Sequence, residues 1–284
     1  MDSNGLFLIG MGPGGVSNMT EGAISAAKAA DHRRYEAYTA LWSEEDLSEL
    51  EDRIGPIEKI MRPEVEKPAQ LLELASTSSV ALLVVGDPLQ ATTHVDLQLQ
   101  AAEAGVSCSV IHGISITSIV SGAVGLSNYK FGRQTTLTYS YEGGWIATSP
   151  LEVIGLNHAQ GLHTLAFLDL DPTGAGTGDQ RPMQPKDAVE SLLSMAEKLL
   201  LYSEEMPTNT VYDRMKFDSV VKICNEISSL MVILCSDMGT KKQAIRYLSV
   251  SELSGATEGG LHCLVIPSEL SEVEVTALQR WTKK

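Results

Sequence analysis

The sequence predicts an α/β protein of two domains, the first built on a mostly parallel sheet. Three observations predict this class. Short apolar runs alternate with helical segments over residues 6–112, the order that builds parallel strands joined by crossover helices. Residues 80–85 are apolar throughout, as in a strand covered on both faces. Residues 115–124 then form a small-residue helix leading into further strands, so the predicted domains are 1–114 and 115–284.

Composition limits the possible functions. The chain has 284 residues, 43% of them hydrophobic, enough to bury a full core. A net charge of −15 argues against nucleic-acid binding and allows a basic protein partner. No apolar run approaches the ~18 residues of a membrane span, and no basic signal-peptide region precedes the first strand, so a cytoplasmic protein is expected. The four cysteines lack C-x-x-C spacing, which favours buried thiols over disulfides or a metal site.

The first domain is expected to begin with a strand at residues 7–9. A glycine loop follows, and then an alanine-rich helix capped by Asn18 or Thr20. The next strand, at 30–38, is unusually polar for the interior of a parallel sheet. The remaining expected strands are 57–61, 80–85 and 107–111, and the expected helices are 43–52, 68–76 and 94–104.

In the second domain, β-branched and apolar runs predict strands at 135–139, 164–170, 230–235 and 262–266. Helices are expected near 186–202 and 269–281. Residues 171–185 are rich in Gly, Pro and Asp and are expected to form a flexible loop.

The glycine loop after the first strand indicates a ligand site. Gly10, Gly12 and Gly15 have the G-x-G-x-x-G spacing of dinucleotide sites. Pro13 lacks an N–H and disfavours phosphate binding, so a nucleoside without phosphate fits better. The loop at 86–90 also follows a strand, and carboxyl ends of parallel strands form the binding edge of such sheets. Asp87 either contacts the ligand there or hydrogen-bonds its own turn.

Other polar residues have two possible roles each. Glu36 and Tyr38, where the second strand ends, either face a substrate amine or cap a turn. His94 either contacts substrate or only begins a helix. His112 and His163 adjoin apolar strands and are expected to be core histidines.

Several motifs in a fixed order resemble one family. They are Gly10-Met11-Gly12-Pro13-Gly14, Gly86-Asp87-Pro88-Leu89-x-Ala91-Thr92-Thr93-His94, Val110-Ile111-His112-x-x-Ser115-Ile116, Tyr129-Lys130-Phe131-Gly132 and Gly161-Leu162-His163-Thr164-Leu165-x-Phe167-Leu168-Asp169. This set resembles the diphthine synthase branch of the tetrapyrrole-methylase superfamily, in its archaeal form, from residue 6 to about 270. The resemblance implies a class III methyltransferase architecture, with a mixed-sheet C-terminal domain and a cofactor cleft between the domains.

The implied cofactor is S-adenosylmethionine, converted to S-adenosylhomocysteine, with no metal. By motif, the implied cofactor contacts are Pro13, Asp87, Gln90, Ser115, Ile116, Leu168, Met238 and His262. Met238 lies in a segment that departs from the family's Ala-Arg-x-Gly pattern, and residues 204–228 look longer than in compact archaeal relatives.

The implied reaction is methylation, three times in archaeal members, of the amino group of a 3-amino-3-carboxypropyl arm. This arm sits on a modified histidine of translation elongation factor 2, and the implied assembly is a homodimer. A methyl on a sulfonium is already electrophilic, so alignment of sulfur, carbon and amine supplies much of the catalysis. Residue patterns assign no general base.

Three alternatives remain open from the sequence. A methyltransferase for corrin or sirohaem precursors would use the same edge, although its polycarboxylate substrate favours a basic cleft. A nicotinamide-dependent oxidoreductase would use Asp31 or Glu36 to bind the ribose. A non-catalytic module could bind S-adenosylmethionine as a sensor.

Overall fold

A computed structural model describes residues 4–141, 144–178 and 180–282. The chain divides into two compact units. Unit 1 runs to Ile119 and includes Ala175–Gln180, and unit 2 contains Val120–Gly174 and Arg181–Lys284. Within the described ranges, no helix is both long and apolar enough to cross a membrane.

Unit 1 contains a five-stranded sheet in the order β3-β2-β4-β1-β5, and every pairing in it is parallel. Its strands are β1 (Gly5–Gly10), β2 (His32–Glu36), β3 (Glu58–Ile60), β4 (Ser79–Val84) and β5 (Cys108–Ile111). Its helices are α1 (Glu21–Ala29), α2 (Glu44–Ile54), α3 (Arg62–Glu66), α4 (Ala69–Thr77) and α5 (His94–Glu103), and α6 (Ile116–Val124) spans the unit boundary. β1 and β4 are buried along their whole length because helices cover both faces.

The polar character of β2 has a structural explanation. Arg33 donates from Nε to the Ala27 carbonyl at 2.8 Å and from Nη2 to the carbonyls of Lys28 and Ala30. It thereby satisfies carbonyls at the end of α1 that have no partner within the helix. Arg34 pairs at 2.5 Å with Glu58, its neighbour in register on β3.

Unit 2 contains a five-stranded sheet in the order β6-β7-β10-β8-β9. Only the β6–β7 pairing is parallel, so the sheet is mixed, as the family resemblance implied. Its strands are β6 (Thr135–Leu137), β7 (Thr164–Leu168), β8 (Met231–Ser236), β9 (Ala244–Ser249) and β10 (His262–Ile266). Its helices are α7 (Ser149–Ala159), α8 (Pro185–Leu201), α9 (Val211–Asn225), α10 (Val250–Leu253) and α11 (Glu272–Leu278).

The predicted α/β class is confirmed, and each predicted strand is present within a few residues of its expected bounds. Thr20, not Asn18, caps α1, since its hydroxyl accepts the N–H of Ala23. Five elements were not predicted from the sequence: α3, α7, α9, α10 and β9. Cys224, Cys235 and Cys263 are buried free thiols, as expected, whereas the free thiol of Cys108 is half-buried.

The described residues of the 171–185 segment form turns and irregular backbone up to the start of α8. This agrees with the loop predicted there.

Candidate functional site

Three loops meet at the carboxyl edge of the unit 1 sheet, and glycines let them approach at backbone distance. Gly12 and Gly86 exchange two hydrogen bonds, N–H to carbonyl in each direction, at 3.1 and 3.0 Å. A Cβ on Gly113 would lie 2.2 Å from the Gly86 carbonyl oxygen, and one on Gly10 would lie 2.4 Å from the Gly113 nitrogen. Neither position has room for a side chain. The loops after β1, β4 and β5 therefore form one continuous edge with bare backbone.

Asp87 fixes these loops to one another. Its side chain is 8% exposed, and Oδ1 accepts the Leu89 N–H at 2.9 Å within its own turn. Oδ2 contacts His112 Nδ1 at 2.8 Å and accepts the Gly113 N–H at 3.3 Å in the loop after β5. The carboxylate thus hydrogen-bonds its own turn, as one interpretation held, and also joins the neighbouring loop. A carboxylate offers about four acceptor positions, so capacity for a ligand hydroxyl remains.

Pro13 is buried in the first loop, and Asn18 holds its backbone in place. The Asn18 amide donates to the Pro13 carbonyl at 2.5 Å and to the Gly14 carbonyl at 3.1 Å. The Trp42 indole donates to the Gly12 carbonyl at 3.2 Å. The hydrogen bonds from Asn18 and Trp42 therefore fix the backbone of this loop without a ligand.

Gln90, Ser115 and Ile116 lie on the other two loops of this edge. Gln90 is exposed, and the next residue, Ala91, adopts a φ of 54°, which costs energy for a residue with a Cβ. Ser115 is buried, and its Oγ accepts the N–H and the hydroxyl of Thr117. Ile116 begins α6 and is half-buried. The five expected contacts of unit 1 therefore lie on adjoining loops.

The other three expected contacts gather at one edge of the unit 2 sheet. Leu168 ends β7, Met238 follows β8, and His262 begins β10, the strand between those two. Leu168 and Met238 are 7% and 5% exposed, so they offer apolar surface and backbone groups rather than charge.

Asp237 shapes this second edge. Its φ is 46°, and with Ala91 it is one of two non-glycine residues with positive φ in the described ranges. Its N–H donates to the Leu261 carbonyl at 2.8 Å, and its Oδ1 accepts the Leu261 N–H at 3.0 Å. These bonds fix the backbone of Met238 beside the start of β10. Both strained residues adjoin expected cofactor contacts, a feature that no sequence pattern revealed.

His262 is half-buried and has polar partners at both ring nitrogens. Nδ1 lies 2.8 Å from Ser236 Oγ, and Nε2 lies 3.4 Å from Gln184 Oε1. Burial lowers the pKa of His262, so the neutral ring is favoured near pH 7.

The other histidines differ from one another. His163 is fully buried, as expected. His112 is not a core residue. Its side chain lies just after β5, is 70% exposed and contacts Asp87. His94 is fully buried, with Nδ1 2.9 Å from the Pro88 carbonyl and Nε2 3.6 Å from Glu36 Oε2. No sequence pattern indicated that His112 meets Asp87 or that His94 meets Glu36.

The unit 1 edge fits S-adenosylmethionine chemically. The fixed backbone of this edge can bind the methionine amine and carboxylate and the adenine edge of the cofactor, and Asp87 can accept from a ribose hydroxyl. Pro13 lowers the number of N–H groups available for a phosphate. The bound cofactor would supply an electrophilic methyl group.

Comparisons with known proteins point to one family. A model of the tetrapyrrole (corrin/porphyrin) methylases matches residues 5–254. The chain is 32% identical over 279 residues to the diphthine synthase of Methanosarcina mazei, covering 96% of this chain and 94% of that protein. Against the diphthine synthase of Methanoregula boonei it is 30% identical, with 97% and 98% covered.

The fold leads to the same family. A crystal structure of a diphthine synthase superposes with a TM-score of 0.78 at 27% identity, covering 98% of this chain and 95% of that one. The covered range includes the strands of both sheets. The chain belongs to the tetrapyrrole (corrin/porphyrin) methylase family, on its diphthine synthase branch, and is an S-adenosylmethionine-dependent methyltransferase.

Proposed function

We propose that this methyltransferase acts on the amino group of a 3-amino-3-carboxypropyl arm carried by a modified histidine of elongation factor 2. It transfers three methyl groups in turn and leaves a trimethylammonium product. The glycine-lined edge held by Asp87 suits the nucleoside cofactor of such a methyl transfer. The near full-length similarity to diphthine synthases is the observation that carries the choice of acceptor.

The proposed cofactor contacts are those implied by motif. In unit 1 they are Pro13, Asp87, Gln90, Ser115 and Ile116, and in unit 2 they are Leu168, Met238 and His262. The bound cofactor supplies the methyl group. The residues of this chain fix the loops, exclude water from the buried side of the edge and orient the groups that bind.

Each transfer forms an N–C bond as the S–C bond breaks, and the amine must first lose a proton. After each of the first two transfers, the new ammonium must again release a proton before the next can begin. Holding the reactants in line can lower the activation free energy by about 7–11 kcal/mol at most. An acidic chain also favours docking of a basic protein surface.

The test mixes the protein with methyl-labelled S-adenosylmethionine and elongation factor 2 that carries the aminocarboxypropyl arm. We expect label on the factor, and mass spectrometry should find species with one, two and three added methyl groups. Factor with an unmodified histidine is the control and should stay unlabelled. Labelling of a corrin or sirohaem precursor instead of the factor would contradict the proposal and favour the tetrapyrrole alternative.

We further propose a cytoplasmic homodimer. Four large apolar side chains, at Leu201, Tyr202, Val211 and Tyr212, are at least half exposed where α8 ends and α9 begins. Such a patch supports association with another protein surface. Light scattering should give about twice the 30.5 kDa monomer mass, and a monomer at micromolar concentration would contradict the dimer.

A further inference from the structure

Unit 1 buries an acid and a base against each other beside the Gly86–Asp87–Pro88 turn. Glu36 ends β2, His94 begins α5, and both side chains are fully buried. Glu36 Oε2 and His94 Nε2 face each other at 3.6 Å. Among the described residues, neither atom has a partner in hydrogen-bonding geometry, and the hydroxyl of Tyr38, a neighbour of the Glu36 carboxyl, has none either. Buried polar atoms without partners are rare and call for an explanation.

The partner of the other ring nitrogen fixes the tautomer of His94. Nδ1 lies 2.9 Å from the Pro88 carbonyl oxygen, which can only accept. Nδ1 must therefore carry hydrogen, and in the neutral ring Nε2 is an acceptor. An ionised Glu36 also has only acceptor atoms. Two buried acceptors facing each other are unfavourable unless one proton lies between them.

The surroundings of Glu36 are consistent with a retained proton. Burial raises the pKa of Glu36, and this effect exceeds the opposing influence of its neighbours. Those neighbours are His94 on α5, Thr39 and Tyr38 after β2, and Arg62 on α3. Thr39 donates its hydroxyl to Glu36 Oε1 at 2.7 Å and leaves Oε2 to face the ring.

We propose that Glu36 and His94 share one proton and act as a positioning pair for the cofactor loop. Through Nδ1–H, His94 holds the Pro88 carbonyl, next to Asp87 and two residues from Gln90. Through Oε1, Glu36 accepts the Thr39 hydroxyl and so connects the pair to the segment that follows β2. The shared proton fixes the orientation of the His94 ring. Through its bond to the Pro88 carbonyl, the ring then fixes the backbone position of the loop that contains Asp87. The importance of this loop for cofactor binding rests on the proposed function.

Two substitutions separate a positioning role from other roles. Glu36→Gln places an amide N–H opposite His94 Nε2, so a donor still faces this acceptor and nothing titrates at position 36. Glu36→Ala leaves Nε2 unpaired. We expect Glu36→Gln to keep cofactor affinity and turnover within about threefold of wild type, and Glu36→Ala to weaken affinity about tenfold. Glu58→Gln, at an exposed carboxylate on β3, is the control and should change neither.

The pH dependence supplies a second readout. As pH rises well above the ordinary range of a carboxyl group, wild type should lose affinity relative to Glu36→Gln, because burial raises the pKa of Glu36 and only wild type has a proton to lose. The ratio of the two dissociation constants cancels titration of the cofactor itself. A constant ratio would overturn the shared proton. A turnover loss above about tenfold in Glu36→Gln with normal affinity would make Glu36 a proton acceptor in the reaction instead.

Nitrogen NMR of ¹⁵N-histidine-labelled protein tests the pair without any cofactor. His94→Asn, whose amide can still donate to Pro88, identifies the His94 signals by their absence. We expect Nδ1 of His94 to be protonated, and its Nε2 signal to shift in Glu36→Ala. A ring protonated only at Nε2 would overturn the inference. If the NMR result holds and wild type fails to bind S-adenosylmethionine, the proposed function fails and the proton-sharing pair stands.

Discussion

Asp87 and the glycines around it determine the shape of the unit 1 edge. The Asp87 carboxylate joins two loops, and the glycines at 10, 12 and 113 allow a backbone approach that a Cβ would block. Gly12 and Gly86 have φ of 71° and 77°, the left-handed region that favours glycine. The G-x-G-x-x-G spacing is shared with dinucleotide sites, but Gly10 and Gly12 here serve close packing against neighbouring loops.

At this scale, we expect Asp87→Ala to weaken binding of S-adenosylmethionine at least about tenfold, or about 1.4 kcal/mol. The substitution leaves the N–H groups of Leu89 and Gly113 without their acceptor and releases the loops. Isothermal titration measures the change. Asp96→Ala, at an exposed position on α5, is the control. Equal affinities for Asp87→Ala and wild type would remove Asp87 from the site.

Gly113→Ala should destabilise unit 1 by about 2 kcal/mol or more, because its Cβ would lie 2.2 Å from a backbone oxygen that cannot rotate away. Gly122→Ala is the matched control. Gly122 lies in α6, a Cβ there meets nothing within 4 Å, and alanine should stabilise the helix by up to about 1 kcal/mol. Chemical denaturation compares the two. Similar stability of both variants would contradict the tight loop packing.

Among the helices, α11 is anchored by a single buried carboxylate. Glu274 is 3% exposed, and every group that it contacts donates a hydrogen bond to it. The donors are the Ser127 N–H, the Lys130 ammonium, the His163 Nε2–H, and the N–H and hydroxyl of Ser271. His163 Nδ1 accepts the Ser268 N–H, so Nε2 carries the hydrogen that Glu274 accepts. Burial alone would raise the pKa of Glu274, but these donors outweigh it and hold the pKa well below its usual value.

We therefore expect Glu274→Gln to lower the free energy of unfolding by about 3 kcal/mol near pH 7. The amide nitrogen would face a hydrogen-bond donor in place of either carboxylate oxygen. A lowered pKa stabilises the fold above the ordinary value of 4.5, and this stabilisation is lost as pH falls below it. The melting temperature of wild type should thus fall more steeply than that of Glu274→Gln as acid is added.

Glu272→Gln, exposed on the same helix, should behave like wild type in this experiment. If the melting temperatures of wild type and Glu274→Gln fell in parallel with pH, this would contradict the lowered pKa of Glu274.

Over the whole molecule, the dominant property is a net charge of −15. Charge of one sign steers a partner of opposite sign, and salt screens this attraction over about 8–10 Å at physiological strength. If the acceptor protein docks through a basic surface, kcat/KM for the acceptor should fall several-fold between about 50 and about 500 mM salt. Cofactor affinity should change much less, because its contacts are short-range. A salt-independent kcat/KM would contradict electrostatic docking.

The sequence by itself determined the strand–helix alternation, the parallel sheet and the order of motifs, because these depend on local apolar patterning and loop chemistry. It did not indicate α7, six of whose eleven residues are buried, so the helix has no polar face to reveal its period. It also missed β9, whose residues are mostly half-buried at the edge of its sheet.

Only the tertiary structure decided which distant residues meet. Glu36 faces His94 across 58 positions of chain, and Asp87 reaches Gly113 across the loops of two strands. Such contacts depend on strand order and on a close approach of loops that leaves no room for a Cβ at Gly10 or Gly113, which no local pattern encodes. The sequence could therefore identify the residues of the edge, while the packing of parallel strands determined their partners and the tautomer of His94.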